Sequence, residues 1–268
     1  MSNNAQFKNA KYSFSFLLNI SSIDSLSAQL VSPDLSLYCN NVDDSDNNYY
    51  FESLHLNDCQ KGKELNDRMA ALQNLFYGAL LTYHSMECPR PVIQNAYEYS
   101  DDTRQDAIGI QFSNEGDAEV LPFSEDYINS KNDFNFLEFN EKNPICSAIY
   151  LARHDETVRS MLKKLGYDGI CFISLYALTD WMKSCGWKTT DIYQHAGWDK
   201  DKLSNFTNTA NNTYASGMES RHGYKGNKKS ENFVPMPLEE AAEGILKAFR
   251  ALIQERLALS KNKKTKDQ

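Results

Sequence analysis

A polar segment between residues 211 and 223 brings together the side chains in this chain that are best suited to chemistry. It contains two adjacent asparagines, several hydroxyl groups, two glycines and, near its end, the pair Arg221 and His222. Arginine can make bidentate contacts to phosphate oxygens, and histidine can gain or lose a proton near neutral pH. Long connections are uncommon in compact domains unless they are functional or disordered. The segment is therefore the first candidate for a phosphodiester site.

The residues that follow this segment add positive charge. Lys225, Lys228 and Lys229 come within a few positions of His222, and Gly223 between them lets a backbone approach a ligand closely. In a phosphodiester site, arginine and lysine would bind phosphate while His222 acted as general acid or base. The alternative is structural: His222 caps or packs against the last helix, and the lysines form a solvated loop.

The first half of the chain has the pattern of β-strands around one helix. Alternating apolar residues predict strands over 12–16, 35–39, 49–56, 91–99 and 107–112. One helix is predicted from apolar residues that recur every three to four positions, namely Leu65, Met69, Leu72, Phe76, Leu80 and Tyr83. We therefore expect an α+β fold. Its N-terminal domain, residues 1–143, would be a mostly antiparallel sheet with one packed helix, and would sense or position a target.

The second half of the chain is predicted to be a helical domain over residues 144–260. The predicted helices run from Ile149 to a stop at Gly166, over 170–185 as a buried central helix, over 199–208, and from Pro237 onward.

Two further features belong to this half. In the sequence Arg153-His154-Asp155-Glu156, Asp155 is expected to cap a helix, with a catalytic role as the alternative. The basic segment 261–268 is predicted to be a disordered tail.

Charge differs sharply between the halves. Residues 1–143 carry 22 acidic and 9 basic side chains, a net charge of −13, whereas residues 144–268 carry 14 and 19, a net charge of +5. The acidic half disfavours nucleic-acid binding over the whole surface, so RNA is expected only at the C-terminal half.

The six cysteines and the histidines argue for a simple, metal-free protein. The cysteines lie far apart with no CxxC pair, so free thiols in a reducing cytoplasm are expected. His195 near Cys185 lacks metal-ligand spacing, so neither a metal nor a cofactor is predicted. No stretch is long and apolar enough to suggest a membrane span. Trp181, Trp187 and Trp198 could stack on bases, or belong to the core or an interface.

The order of motifs in the second half resembles that of HEPN domains, in which a polar Arg/His-Gly segment precedes a long last helix. A closer resemblance, over most of the chain, is to an uncharacterised group of bacterial proteins with a sheet-plus-helix front half and a HEPN-like C-terminal part. The motifs that carry it are Thr209-Ala210-Asn211, Gly217, Arg221-His222-Gly223, Pro235-Met236 and Leu238-Glu239-Glu240-Ala241.

The HEPN family includes metal-independent ribonucleases of toxin–antitoxin and antiviral systems, which typically act as dimers. The resemblance implies that His222 is an acid/base on a ribose 2′-oxygen or leaving group and that Arg221 stabilises phosphate charge. It also implies that Asn211 or Asn212 is a polar partner, and we add Lys225 as a substrate-binding residue. The leading hypothesis is an RNA-directed effector or toxin in phage defence, acting as a homodimer.

The alternative hypothesis is a non-catalytic module that binds a protein partner or dimerises, or a regulatory, antitoxin-like partner. In the family signature the arginine lies several residues before the histidine, whereas Arg221 directly precedes His222. This departure and the acidic first half favour the alternative.

Overall fold

The computed structural model describes residues 10–17, 32–40, 48–84, 88–100, 106–113, 115–125, 143–221 and 233–264. Within this part, one antiparallel sheet lies in the N-terminal half and most helices lie in the C-terminal half, so the predicted α+β class is confirmed. The sheet order is β2-β3-β1-β4-β5, with strands β1 (Tyr12–Leu17), β2 (Ser36–Asn40), β3 (Asn48–Glu52), β4 (Val92–Tyr99) and β5 (Ala107–Ile110).

One face of this sheet forms a hydrophobic core with the helix α1 (Lys63–Tyr83). The pairing of β1 with β3 sets Phe14 opposite Phe51, and both side chains are almost fully buried. Phe51 contacts Phe76 of α1, with ring centroids 5.9 Å apart. The period-two pattern of the strands and the period of α1 thus bury one sheet face against one helix, as predicted.

The helical half contains six longer helices within the described residues. They are α2 (Pro144–His154), α3 (Glu156–Asp168), α4 (Phe172–Ser184), α5 (Thr189–Ala196), α6 (Lys200–Ala210) and, after the four-residue turn α7 (Thr213–Ser216), the long α8 (Leu238–Lys264). Two short 3₁₀ helices lie at Leu54–Leu56 and Gly217–Glu219.

The single helix predicted from Ile149 to Gly166 is in fact two helices. Asp155 is the break: its side chain accepts hydrogen bonds from the N–H groups of Thr157 and Val158 and caps the start of α3. The predicted cap is therefore confirmed, but α3 continues past Gly166 to Asp168.

Gly166 permits a close helix crossing rather than ending a helix. A Cβ atom added to Gly166 would lie 1.8 Å from the backbone oxygen of Asn74, and one added to Gly78 would lie 1.9 Å from that of Leu162. The two glycines therefore allow α1 and α3 to pack backbone against backbone, which joins the sheet half to the helical half.

The helix α4 is amphipathic, not buried all round as predicted. Its buried face carries Phe172, Leu175, Leu178 and Met182, while Ile173, on the other side, is exposed.

The helix α5 had no counterpart among the predicted helices, because its sequence is short and polar. It packs on α8, where Trp187 and Trp198 are both buried.

One hydrophobic cluster includes residues of both halves, from Phe14 of β1 to Phe249 of α8. The helix α8 runs to Lys264 and so includes the first residues of the segment predicted as a disordered tail, whereas residues 265–268 lie outside the described part. Among the helices that the structure describes, none combines the length and the apolar character required to cross a membrane.

Candidate functional site

Arg221 is the last described residue of the polar segment, and it lies against α4. Its guanidinium carbon is 4.2 Å from the centroid of the Tyr176 ring, and its Nη2 is 3.2 Å from Oδ2 of Asp180. Tyr176 and Asp180 are one turn apart and therefore share a face of the helix. The backbone N–H of Arg221 donates to the carbonyl of Ala210, 2.9 Å away. About 40% of the Arg221 side chain stays exposed, so a ligand can reach its guanidinium.

The two asparagines of the segment have different surroundings. The side-chain oxygen of Asn212 accepts a hydrogen bond from the N–H of Tyr214 and caps α7, so this oxygen shapes the backbone. The side-chain oxygen of Asn211 is buried and has no hydrogen-bond partner among the described residues. The predicted residues His222 and Lys225, with Gly223, lie outside the described residues.

Side chains of α3 and α4 line a cleft of about 320 Å³. Its lining includes Lys163, Lys164 and Tyr167 of α3, and Trp181 of α4. In α3 the apolar residues Val158, Met161, Leu162 and Leu165 face the core, which directs the lysines and Tyr167 outward. Trp181 directly follows Asp180, the carboxylate that holds Arg221, so the cleft and Arg221 occupy neighbouring faces of α4.

The charges around the cleft are mixed, with a small excess of cations. The Nζ of Lys163 donates to the carbonyl of Val120 at 3.2 Å, and burial lowers the pKa of this lysine. Lys164 pairs with Asp168 of its own helix at 2.8 Å, and Glu119 also lines the cleft. Asn74, another lining residue, accepts a hydrogen bond from Arg90, which brings a third cation to the rim.

A third group of polar residues is buried where the two halves meet. Oδ1 of Asp34 lies 2.8 Å from Nε2 of His55 and 3.2 Å from Nη1 of Arg153. The side chains of Asp34 and His55 are fully buried, and that of Arg153 is nearly so. Burial alone would raise the pKa of the Asp34 carboxyl, but the His55 hydrogen bond and the charge of Arg153 outweigh it, and the pKa is lowered.

The ring of His55 shows how this buried cluster is fixed. The N–H of Ser124 donates to Nδ1 of His55, so Nδ1 is an acceptor and Nε2 carries the proton that faces Asp34. The cluster links the loop before β2, the 3₁₀ helix after β3, and α2. Because it is enclosed, its role is to join these elements, and it is not a site for a ligand.

Sequence reasoning missed the cleft and the buried cluster for different reasons. The cleft had a readable signal, since Ser160, Lys163, Lys164 and Tyr167 fall on the polar face of a helical pattern and Trp181 was already a candidate for stacking. The buried cluster had none, because Asp34 and Arg153 are 119 positions apart.

Comparison with models of protein families, with curated proteins and with solved structures gave no match to this chain. The resemblance to HEPN domains therefore stays a prediction.

Proposed function

We propose that the helical half binds single-stranded RNA along α3 and α4. The observation that carries the proposal is the cleft in which Lys163 and Lys164 stand beside Tyr167 and Trp181. Single-stranded nucleic acids are bound by basic grooves that follow the backbone and by aromatic rings on which bases stack. The cleft supplies both elements, and Arg221 on the neighbouring face of α4 supplies a further phosphate contact.

The net charge of the helical half and the volume of the cleft both favour a single RNA strand in the cleft. The helical half has a net charge of +5 in a chain whose other half has −13, so a polyanion is attracted to one side only. A volume of about 320 Å³ is small for a ligand pocket and suits one nucleotide with an unpaired base. In a duplex the faces of the bases are stacked on one another, so Tyr167 and Trp181 could not reach them.

The test is fluorescence anisotropy with a labelled uridine oligonucleotide. Tyr167→Leu should weaken binding about tenfold, because a stacked base is worth roughly 1–3 kcal/mol. Tyr167 is 64% exposed, so the loss of its ring should leave the melting temperature unchanged. The double variant Lys163→Ala, Lys164→Ala should weaken binding. It should also reduce the slope of log affinity against log salt concentration by about one for each lost phosphate contact.

The matched control is Lys200→Ala, which removes an exposed lysine from α6. Its affinity should equal that of the wild type. If Tyr167→Leu and the double lysine variant bind the oligonucleotide as well as Lys200→Ala does, the cleft is not the RNA site.

Cleavage of the bound RNA is a separate part of the proposal and depends on His222. Purified protein would be incubated with tRNA and with total RNA, together with the His222→Ala variant. Loss of cleavage with retained oligonucleotide binding supports a ribonuclease with His222 as acid/base. If wild type and variant leave the RNA equally intact, the protein binds RNA without cutting it.

A protein-docking role is the second candidate, favoured by apolar groups on the polar segment that contains Arg221. Tyr214 is 57% exposed and Met218 is fully exposed, and methionine and tyrosine are common in adaptable interfaces. In this case Arg221 organises a docking segment through Tyr176 and Asp180. A sizing column should then show a larger species that Met218→Ser converts to monomer, whereas an unchanged elution volume would exclude self-association there.

A further inference from the structure

The sheet has a second face, opposite α1, that is built from tyrosines. Strand pairing sets Tyr38 beside Tyr50 and Ser13 beside both Glu52 and Tyr97. The face also includes Tyr99, which follows Tyr97 by two residues on β4. All four tyrosines are partly exposed. Exposed faces of antiparallel sheets usually carry mixed charged and polar residues, so four tyrosines here are unusual.

Two of the four tyrosine hydroxyl groups, those of Tyr38 and Tyr99, converge on one carboxylate. Oε1 of Glu52 accepts hydrogen bonds from the hydroxyl groups of Tyr38 at 2.9 Å and Tyr99 at 3.2 Å. Only 3% of Glu52 is exposed, so this charge lies beneath the tyrosine layer. Burial and the Glu52 carboxylate raise the pKa of Tyr38 above its usual value, so its hydroxyl group remains protonated and keeps donating.

Three of the four rings, those of Tyr38, Tyr50 and Tyr97, lie next to one another. Tyr38 and Tyr50 are stacked, with centroids 5.3 Å apart and an interplanar angle of 14°. The ring centroids of Tyr50 and Tyr97 are 6.3 Å apart, and the ring planes are inclined at 51°. Ring faces carry negative partial charge, and cations within about 6 Å of a ring centroid are attracted to it.

We propose that this tyrosine face binds a cationic side chain, a guanidinium or ammonium group presented by a basic peptide. Charge complementarity selects the cation. The carboxylate of Glu52 lies under the rings, and the half of the chain that contains the sheet has a net charge of −13. The same charges repel the phosphates of RNA, so the sheet and the helical cleft bind different partners.

The experiment measures binding of a labelled oligoarginine peptide by fluorescence anisotropy. Tyr50→Leu and Tyr97→Leu should each weaken binding about threefold to tenfold, because each removes one ring face from the cation. Tyr97→Phe keeps the ring and should restore wild-type affinity, which separates the aromatic contact from the hydroxyl group. A peptide of the same length with citrulline in place of arginine keeps the shape and loses the charge, and it should not bind.

A control for general attraction to an acidic protein is Glu125→Gln, which removes an exposed carboxylate outside the sheet. It should bind oligoarginine as the wild type does. The proposal fails if wild-type protein does not bind oligoarginine, if the leucine variants bind as tightly as Glu125→Gln, or if the citrulline peptide binds equally well. It also fails if the leucine variants lose affinity for the uridine oligonucleotide, because the face would then be an RNA surface.

Discussion

The sheet half and the helical half both expose aromatic rings beside charged groups, but the charge beside the sheet tyrosines is negative, whereas that around the helical cleft is mixed with a small excess of cations. On the sheet, Tyr38 and Tyr50 lie over the carboxylate of Glu52. In the helical cleft, Tyr167 and Trp181 stand beside two lysines. An aromatic ring accepts either a nucleobase or a cation, so the neighbouring charges decide which of them binds. The same residue types are therefore assigned different ligands in the two regions.

Both surfaces are built on one hydrophobic core, which includes residues of both halves. The junction between the halves has two parts: the buried cluster of Asp34, His55 and Arg153, and the crossing of α1 and α3 at Gly78 and Gly166. Changes at the junction should cost the most stability, and changes at either surface should cost little.

The largest expected effect is that of Arg153→Met. The substitution leaves the Asp34 carboxylate buried without its guanidinium, and breaking a buried ion pair in this way costs about 3–5 kcal/mol. Urea unfolding at neutral pH should show that loss. Adding Asp34→Asn removes the uncompensated charge and should recover part of the stability. If Arg153→Met alone costs less than a surface substitution, the cluster does not join the halves.

A smaller effect is expected for Gly166→Ala. The added methyl group meets the Asn74 backbone, which cannot move aside as a flexible side chain could, so α1 and α3 must separate. Overpacking of this kind costs roughly 1–3 kcal/mol, and the melting temperature should fall accordingly. Gly109→Ala on the exposed strand β5 is the control, since a Cβ atom there meets nothing within 4 Å. Equal melting temperatures for the two variants would contradict the close crossing.

The smallest effect on stability is expected for Arg221→Met. Arg221 pairs with Asp180, and both side chains are about 40% exposed. Exposed ion pairs of this kind contribute about 0–1 kcal/mol to the free energy of unfolding. Urea unfolding should therefore place Arg221→Met close to the wild type, while binding of the uridine oligonucleotide is weakened. A large loss of stability with unchanged RNA binding would instead make Arg221 a structural anchor of its segment.

Local patterns in the sequence predicted the elements that depend on local signals. The periodicity of α1 and the alternation in β1 were enough to predict a sheet packed on a helix, and Asp155 was correctly predicted as a cap. Gly166 was wrongly predicted as a helix stop, because a glycine that ends a helix and one that admits a neighbouring backbone look alike in a sequence.

Features that depend on contacts between distant segments could not be predicted. Tyr38, Tyr50 and Tyr97 lie on three different strands, and only the strand order and register bring them together. Likewise, Arg153 was noted only as a neighbour of the expected cap Asp155, whereas its partner Asp34 belongs to the sheet half. Of the predicted site, Arg221 is bonded through its backbone to Ala210, the residue before Asn211, and the structure adds α4 as the support of Arg221.

Ultraviolet cross-linking tests most directly the central claim that RNA binds in the helical cleft and not on the sheet. Wild-type protein would be irradiated with a uridine oligonucleotide, digested, and the cross-linked peptides identified by mass spectrometry. We expect cross-links on the peptides of α3 and α4 that contain Tyr167 and Trp181. Cross-links confined to Tyr38, Tyr50 or Tyr97 would contradict the claim and assign RNA to the opposite half of the molecule.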